Sequence, residues 1–379
     1  MYTVELFSKI AELPREEWDR FIAANVLATH GWLQTVEATF IGDISPFYVL
    51  IRDDGKPVGV TVGYTFRKTG TVEDLDDLLL GRAKPLASRL GISFMPTMVC
   101  GTLWGYGDHL AVEAGADLQR RRAVMNKLIE VVEGEAERSG LSLALINVPR
   151  EDSELAAVLC RRGYSRSRHV PSTILDLRWS SFAEYTKHLS RNQKKNLKWK
   201  INTNRKSGTT ISVLESDKID AERLHELLTM NYRKYRNMPF SFSKDFFHEL
   251  KGNLDRNAVL RVSHKAGFIT GVSVELKYSG TSFMPLIGVD HKLCGNDMTY
   301  FNLYYTPIAE AIAEGLSRLC LGRAHYLMKT RLGCRTADLF IWYKSRRRVA
   351  HHAAQLWFLL LSSWNKYKLW RQLRLTRKA

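Results

Sequence analysis

The chain has 379 residues, with 56 Lys and Arg against 39 Asp and Glu, a formal charge of +17 and 45% apolar residues. That length suits two domains, each able to bury a core, and the balance of apolar and charged residues is that of a globular protein. Low-complexity tracts are excluded, and no apolar run approaches the roughly 20 residues of a membrane span.

The opening MYTVELFSKIAELPREEW carries acids and no apolar core, so it is read as no secretory signal. Residues 2–9 read as a strand and 15–40 as helical, with a break near Ala28-Thr29-His30-Gly31. A hairpin follows, with strands 47–52 and 57–66 about an Asp54-Gly55 turn. Residues 68–98 read as an irregular insertion holding a short acidic helix, VEDLDDLLL. A helix over 117–138 buries Val124, Leu128, Val131 and Val132 and ends at Gly140. LSLALINV is then a buried strand, and SELAAVLCRRGY a helix running into a turn.

The strand TILDLRW leads into the second half. Ser181-x-x-Glu184 is a capping box, predicting a helix through the basic segment with an apolar stripe of Tyr185, Leu189, Leu197 and Ile201 that Gln193 interrupts. Residues 209–215 read as a strand, 220–236 and 243–254 as helices. Three antiparallel strands follow, with turns at Ala266-Gly267 and Ser279-Gly280, then a helix at 299–314, the strand RLCLG, a loop and a last strand near 338–343. Cys100, Cys160, Cys294, Cys320 and Cys334 show no C-x-x-C spacing and are read as reduced core thiols of a cytoplasmic protein. The histidines are dispersed too, so no metal site is expected.

The positive charge is placed. Residues 186–206 hold eight Lys and Arg and no acid, and 344–379 hold ten and no acid. Without these eighteen the chain has 38 basic residues against 39 acidic, which is neutral. A local cationic field attracts polyanions. A solvated helix face with a basic tail, an RNA or phosphate-rich partner, and an anionic membrane surface all fit it.

An internal repeat is visible. Pro57-Val58-Gly59-Val60-Thr61-Val62 matches Ile269-Thr270-Gly271-Val272-Ser273-Val274, and Gly140-Leu141-Ser142 matches Gly315-Leu316-Ser317 in the same order. The repeated unit is an α/β one with a mixed sheet.

Leu189 to Leu197 reads Leu-Ser-x-Asn-x-x-x-x-Leu, and Leu321-Gly322-Arg323 is followed by Tyr326-Leu327-Met328-Lys329 and Leu332-Gly333. Over about 185–345 these stretches resemble the FemAB-related acyltransferases and their BioF2-like relatives. The resemblance implies an α/β fold of mixed sheets in two tandem acetyltransferase-like (GNAT-type) domains. The expected boundaries are 1–170 for the N-terminal domain, 171–345 for the catalytic one and 346–379 for a basic helical tail. FemAB enzymes commonly carry a long helical arm that has no counterpart here, so the acceptor is not carried over from the peptidoglycan members. Acetyl-CoA users of this fold cradle pyrophosphate in a Gly-rich loop before a helix. Neither Leu293–Thr299 nor Glu113–Asp117 has that pattern.

No Gly-x-Ser-x-Gly elbow is present, so direct attack on a bound donor is expected rather than a serine intermediate. Lys329, matching the family lysine, is the first catalytic candidate; an ammonium there could hold a carbonyl or leaving oxygen. Asp290 and His291, after the third strand, are candidate proton acceptors. Arg323 and Tyr326, with Arg191, Lys194, Lys195 and Lys198 of the basic helix, are candidates for the donor, and Tyr300 and Tyr304 for the substrate. Each has a structural alternative: a surface lysine, an ion pair, turn residues, core packing. An aminoacyl-tRNA donor fits the basic helix, the missing pyrophosphate loop and the resemblance, with Trp199 available to stack on a base. It needs no metal or nucleotide cofactor, and its acceptor is a small-molecule or peptide amine. Acyl-CoA or acyl-carrier protein is the second donor reading, and a non-catalytic RNA- or membrane-surface module the third. The tail interleaves Trp357, Trp364 and Trp370 with cations, which suits peripheral membrane contact.

Overall fold

The computed structural model describes residues 1–67, 75–236, 240–323 and 325–377. The first half forms β1 (Tyr2–Phe7), α1 (Arg15–Asp19), α2 (His30–Thr39), β2 (Ile44–Asp53), β3 (Lys56–Phe66), α3 (Leu75–Leu79), α4 (Lys84–Arg89), β4 (Thr97–Cys100) and β5 (Ala111–Val112). It continues with α5 (Leu118–Arg138), β6 (Ser142–Pro149), α6 (Ser153–Arg161) and β7 (Ser165–Arg168). The second half forms β8 (Ser172–Asp176), α7 (Phe182–His188), α8 (Arg191–Lys206), β9 (Thr210–Val213), α9 (Ala221–Arg236), α10 (Phe246–Leu254), β10 (Ala258–Lys265), β11 (Phe268–Tyr278) and β12 (Thr281–Val289). After these come α11 (His291–Cys294), α12 (Thr299–Ala313), β13 (Arg318–Gly322), α13 (Tyr326–Arg331), β14 (Arg335–Ala337), β15 (Leu339–Lys344) and α14 (Arg348–Arg377). The start of the expected acidic helix, 72–74, lies outside the described residues.

Two sheets result. The first runs β1-β2-β3-β4-β6-β15-β7, with β5 also on β3, and the second runs β14-β8-β13-β12-β11-β10-β9. β4–β6 and β12–β13 pair in parallel. The chain exchanges one strand each way: β8, which follows β7, enters the second sheet between β13 and β14, and β15, which follows β14, enters the first between β6 and β7. The compact units are therefore discontinuous. Unit 1 is Met1–Glu37, Gly42–Pro171 and Ala337–Lys378, and unit 2 comprises Ala38–Ile41 and Ser172–Thr336. These replace the contiguous blocks 1–170, 171–345 and 346–379, because a short buried strand carries no mark of which sheet it completes.

The repeat has a packing reason. A Cβ on Gly59 of β3 would lie 2.5 Å from Val124 of α5, and one on Gly271 of β11 would lie 3.0 Å from Leu303 of α12. Each glycine lets the helix of its own unit approach the sheet. Both helices also end alike: Leu141 N–H donates to Ala136 and Leu316 N–H to Ala311, around Gly140 and Gly315 at φ 68° and 69°. That is the Schellman end, in which a left-handed glycine lets orphan carbonyls be satisfied.

The break expected within 15–40 near Ala28-Thr29-His30-Gly31 is present: α1 ends at Asp19, a 3₁₀ turn covers Val26–Ala28, and α2 starts at His30. Two other expected elements differ. The basic helix expected from Ser181 onward is two helices. Leu189 is extended, and Ser190 opens α8 through a capping box in which Gln193 Oε1 accepts from Ser190 N–H at 2.8 Å. Gln193, which interrupts the apolar stripe, is thus the capping residue. The stretch expected as a loop after Gly322 contains α13. All five cysteines are free, and Cys160 is exposed rather than in the core. Among the described residues no helix is long and apolar enough to cross a membrane.

Candidate functional site

In unit 2 the sequence opens the sheet at one place. β12 contains Pro285, which has no N–H for a ladder, and a bulge sets Met284 and Pro285 against β11. The parallel pairing of β12 with β13 ends at Phe283 and Cys320, although β12 continues to Val289 and β13 to Gly322. Asn231 of α9 donates to the Ile287 carbonyl at 2.8 Å beyond that point. Met284, Leu321, Leu332 and Tyr304 belong to the apolar cluster around the divergence.

Lys329 holds the end of β13. It is 2% exposed, and its ammonium donates to the carbonyls of Leu321 (2.5 Å), Arg323 (3.3 Å) and Gly322 (3.4 Å). Burial pushes its pKa down to about 8. His325, left-handed at φ 53°, precedes α13 and sets its ring 5.9 Å from Tyr300. Desolvation, then the Lys329 charge, lowers the His325 pKa. Tyr300 and Tyr304 place their hydroxyls 3.4 Å apart, and burial raises the Tyr304 pKa. Tyr326 is buried and Arg323 half-buried on either side of this turn. Lys200 of α8 lies over the Phe301 ring at 3.3 Å, and burial followed by the Arg331 charge pushes its pKa down to about 8. Lys329, Lys200, Arg331 and His325 thus gather around the start of α12.

The N-terminus of α12 is where a helix would receive an anion. It is already occupied. Asp297, 4% exposed, accepts from Thr299 N–H at 2.9 Å, Thr209 Oγ1 at 3.2 Å and Lys265 Nζ at 3.2 Å. Asn204 of α8 donates to the Asp297 carbonyl and to Thr299 Oγ1. A pyrophosphate placed there would meet a carboxylate, so the residues present do not fit a CoA cradle.

Asp290 and His291 stand apart from this group. The Asp290 carboxylate accepts from Lys292 N–H (3.0 Å), Leu293 N–H (3.1 Å) and Arg223 (2.9 Å). Burial pushes its pKa up, but the hydrogen bond from Arg223 and those N–H groups bring it below the ordinary value. His291 is exposed, and desolvation, then Lys234, keep its pKa low. Arg223 also lines an open pocket of about 560 Å³ with Glu222, His225, Thr229, Arg233 and Lys244. Among the described residues no group of three or more His, Cys, Asp or Glu is placed to hold a metal.

The outer face of α8 is cationic and without carboxylate partners among the described residues. Arg191, Lys195 and Lys198 are exposed and Lys194 is half-buried, while Leu197 and Asn204 face inward. Trp199, 52% exposed, is a surface ring.

In unit 1 the matching place is stoppered. Past Cys100 the loop turns at Gly101, where a Cβ would lie 2.3 Å from the His109 ring. His109 Nε2 pairs with the Ile146 carbonyl of β6 at 2.5 Å, and Asn147 donates to Leu103 at 3.1 Å.

The FemAB-like family, described as peptidoglycan biosynthesis/recognition, matches residues 9–338. The chain belongs to the FemAB-like family. This FemAB-like chain is similar in structure to FemX, at 11% identity and a TM-score of 0.59, over 93% of this chain and 100% of that one. It is similar to the C-terminal domain of a putative lysylphosphatidylglycerol synthetase from Agrobacterium fabrum (10%, 0.54, 92% and 96%). It is also similar to a tandem GNAT protein of the clavulanic acid biosynthesis pathway (12%, 0.51, 91% and 98%). At these identities the likeness is one of fold. A search of curated proteins finds no match. Family and fold together support acyl transfer as the reaction class.

Sequence reasoning missed Lys200, His325, Arg331 and Asp297 in this FemAB-like site. Lys200 lay within the basic run, but nothing in the run distinguishes the one lysine that turns inward onto Phe301.

Proposed function

We propose that the chain transfers an aminoacyl group from aminoacyl-tRNA to an amine acceptor, with the chemistry in unit 2. The observation that carries this reading is the Asp297 carboxylate at the start of α12, held by Asn204 of α8, a helix whose outer cations have no carboxylate partner among the described residues. The anion of the donor is then met by side-chain cations, not by a helix N-terminus. In the reaction the acceptor nitrogen attacks the ester carbonyl, a C–N bond forms, and the C–O bond to the ribose breaks.

His325, whose ring lies 5.9 Å from Tyr300 and whose pKa is lowered by desolvation, takes the proton of the acceptor amine and returns it to the leaving ribose oxygen. Lys329 acts as a positioning residue: its three bonds to backbone carbonyls set the end of β13 and with it Arg323 and the start of α13. Arg323 and Tyr326 flank the donor's terminal ribose, and Tyr300 and Tyr304 form the acceptor side. Arg191, Lys194, Lys195 and Lys198 take the tRNA phosphates.

Labelled aminoacyl-tRNAs and, separately, acyl-CoAs are to be incubated with the protein and a panel of amines. The expected result is amide product with loss of label from tRNA and intact acyl-CoA. Turnover of acyl-CoA with the tRNA ester untouched would sink the reading.

A further inference from the structure

The tail helix α14 has two unlike faces. Its inner face is fixed to unit 1. Ala354 and Phe358 are buried, and Phe358 stacks 5.8 Å from Phe94. Trp357 Nε1 donates to Leu79 at 3.0 Å. Ser362 Oγ accepts from Arg168 N–H at 2.9 Å, and Asn365 donates to the Arg168 carbonyl at 2.8 Å. These two bonds serve backbone groups of β7, the edge strand of the first sheet.

The outer face is exposed, yet it is apolar. Leu356, Leu359, Leu360, Trp364, Tyr367 and Trp370 are each at least half exposed, with Leu360 at 66% and Trp364 at 61%. At 3.6 residues per turn Leu356, Leu360 and Tyr367 fall on one line, opposite Ala354, Phe358 and Asn365, and 356–370 spans about 21 Å. Exposed Lys366, Lys368 and Arg371 accompany this stripe, and no acid occurs from 344 to 379.

We infer that α14 lies in the plane of an anionic lipid surface, its outer leucines and aromatic rings entering the interface. Three features select this occupant. Aliphatic side chains gain nothing from RNA, which is gripped by cations and stacked rings, but gain by leaving water for acyl chains. A second copy would bring one acid-free cationic face against another. Indole and phenol rings among lysines and arginines, on a helix too polar to span, are the composition of an interfacial helix. Anionic headgroups answer the cations, which are drawn to such a surface within a Debye length. The inference is independent of which donor the site uses.

The test is co-sedimentation of the full chain with phosphatidylglycerol-containing vesicles and with phosphatidylcholine vesicles. Binding to the first is expected. The Leu360→Asp/Trp364→Ala variant is expected to lose about tenfold or more in partitioning, since the apolar area removed is worth more than 1.4 kcal/mol. Its thermal midpoint should equal that of the wild type, because neither side chain belongs to the core. Absence of binding to anionic vesicles would overturn the inference. So would equal binding by the variant, which would place the attraction elsewhere on the chain. A wild-type dimer that the variant dissociates, or tRNA binding that the variant loses, would assign the face to another partner and overturn it as well.

Discussion

Lys329 shows how a residue legible as reactive from its neighbours can be reached by an unforeseen geometry. The motif placed a lysine after a strand end, and the fold turns that lysine inward onto three carbonyls of the strand it follows. The ammonium is paired but dry, so its pKa falls from 10.5 to about 8. The folded protein then releases this proton more readily than the unfolded chain does. Between pH about 8 and 10.5 the unfolded chain holds more protons, so stability rises with pH there, and below about 8 the full cost of the buried charge is present. Relative to Lys329→Met, the wild type should gain on the order of 3 kcal/mol across that window. Urea unfolding of both proteins at either end of the window measures it, and a difference that does not move with pH would mean an ordinary lysine. In the transfer reaction Lys329→Met is expected to lower kcat by about 100-fold, because the end of β13 loses its anchor and the site it carries is displaced, while donor affinity stays within a few-fold. Unchanged turnover would remove Lys329 from the mechanism.

At the scale of elements, the duplicated glycines make the most direct test of the packing. Gly59→Ala would press a methyl group to 2.5 Å from Val124 and 3.2 Å from the Ala111 carbonyl, a β-branched side chain and a backbone atom that cannot swing away. Overpacking of this kind costs about 1–3 kcal/mol. Gly134→Ala, inside α5 with nothing within 4 Å of the added carbon, should instead stabilise by roughly 0.5–1 kcal/mol. Opposite shifts of the unfolding midpoint are therefore expected from two identical substitutions, and equal shifts would mean that α5 stands off β3. The same glycines explain why much of the fold was readable. The β2–β3 hairpin, the β10–β12 meander, α5 and α12 each carry a strong local signal: a turn pair, a helical stripe or a terminal glycine. The strand exchange carried none, since β8 and β15 look alike from within the chain whichever sheet they join. Pro285 was present in the sequence, but its effect on the β12–β13 ladder depends on a partner strand more than thirty residues away. The candidate site divided along the same line. Tyr300, Tyr304 and Lys329 converge because α12 and α13 both pack against β13's end, whereas Asp290 faces Arg223 of α9.

For the whole molecule, the charge is the feature that organises function. The two acid-free segments fold into α8 of unit 2 and α14 of unit 1, and the rest of the sequence is neutral. If α8 grips a tRNA, its lysines act by releasing condensed counterions, and the salt dependence counts them. With about six phosphates neutralised, log K should fall with a slope of roughly −4 to −5 against log salt. Lys194→Gln/Lys195→Gln/Lys198→Gln should make that slope shallower by about 2 to 3, with no change in stability, because among the described residues none of the three has a carboxylate partner to lose. Lys200 adds a pH term of a definite sign. Its pKa is pushed down to about 8, so an anionic donor meets the protonated side chain below that pH, and affinity should decline as pH rises through 8. The Leu360→Asp/Trp364→Ala change in α14 should leave both the salt slope and this pH dependence where they are. Filter binding of tRNA across salt and pH, with the two variants side by side, separates the segments. A slope that the α8 variant leaves intact would mean the phosphates are held elsewhere, and the donor would then have to be sought among thioesters.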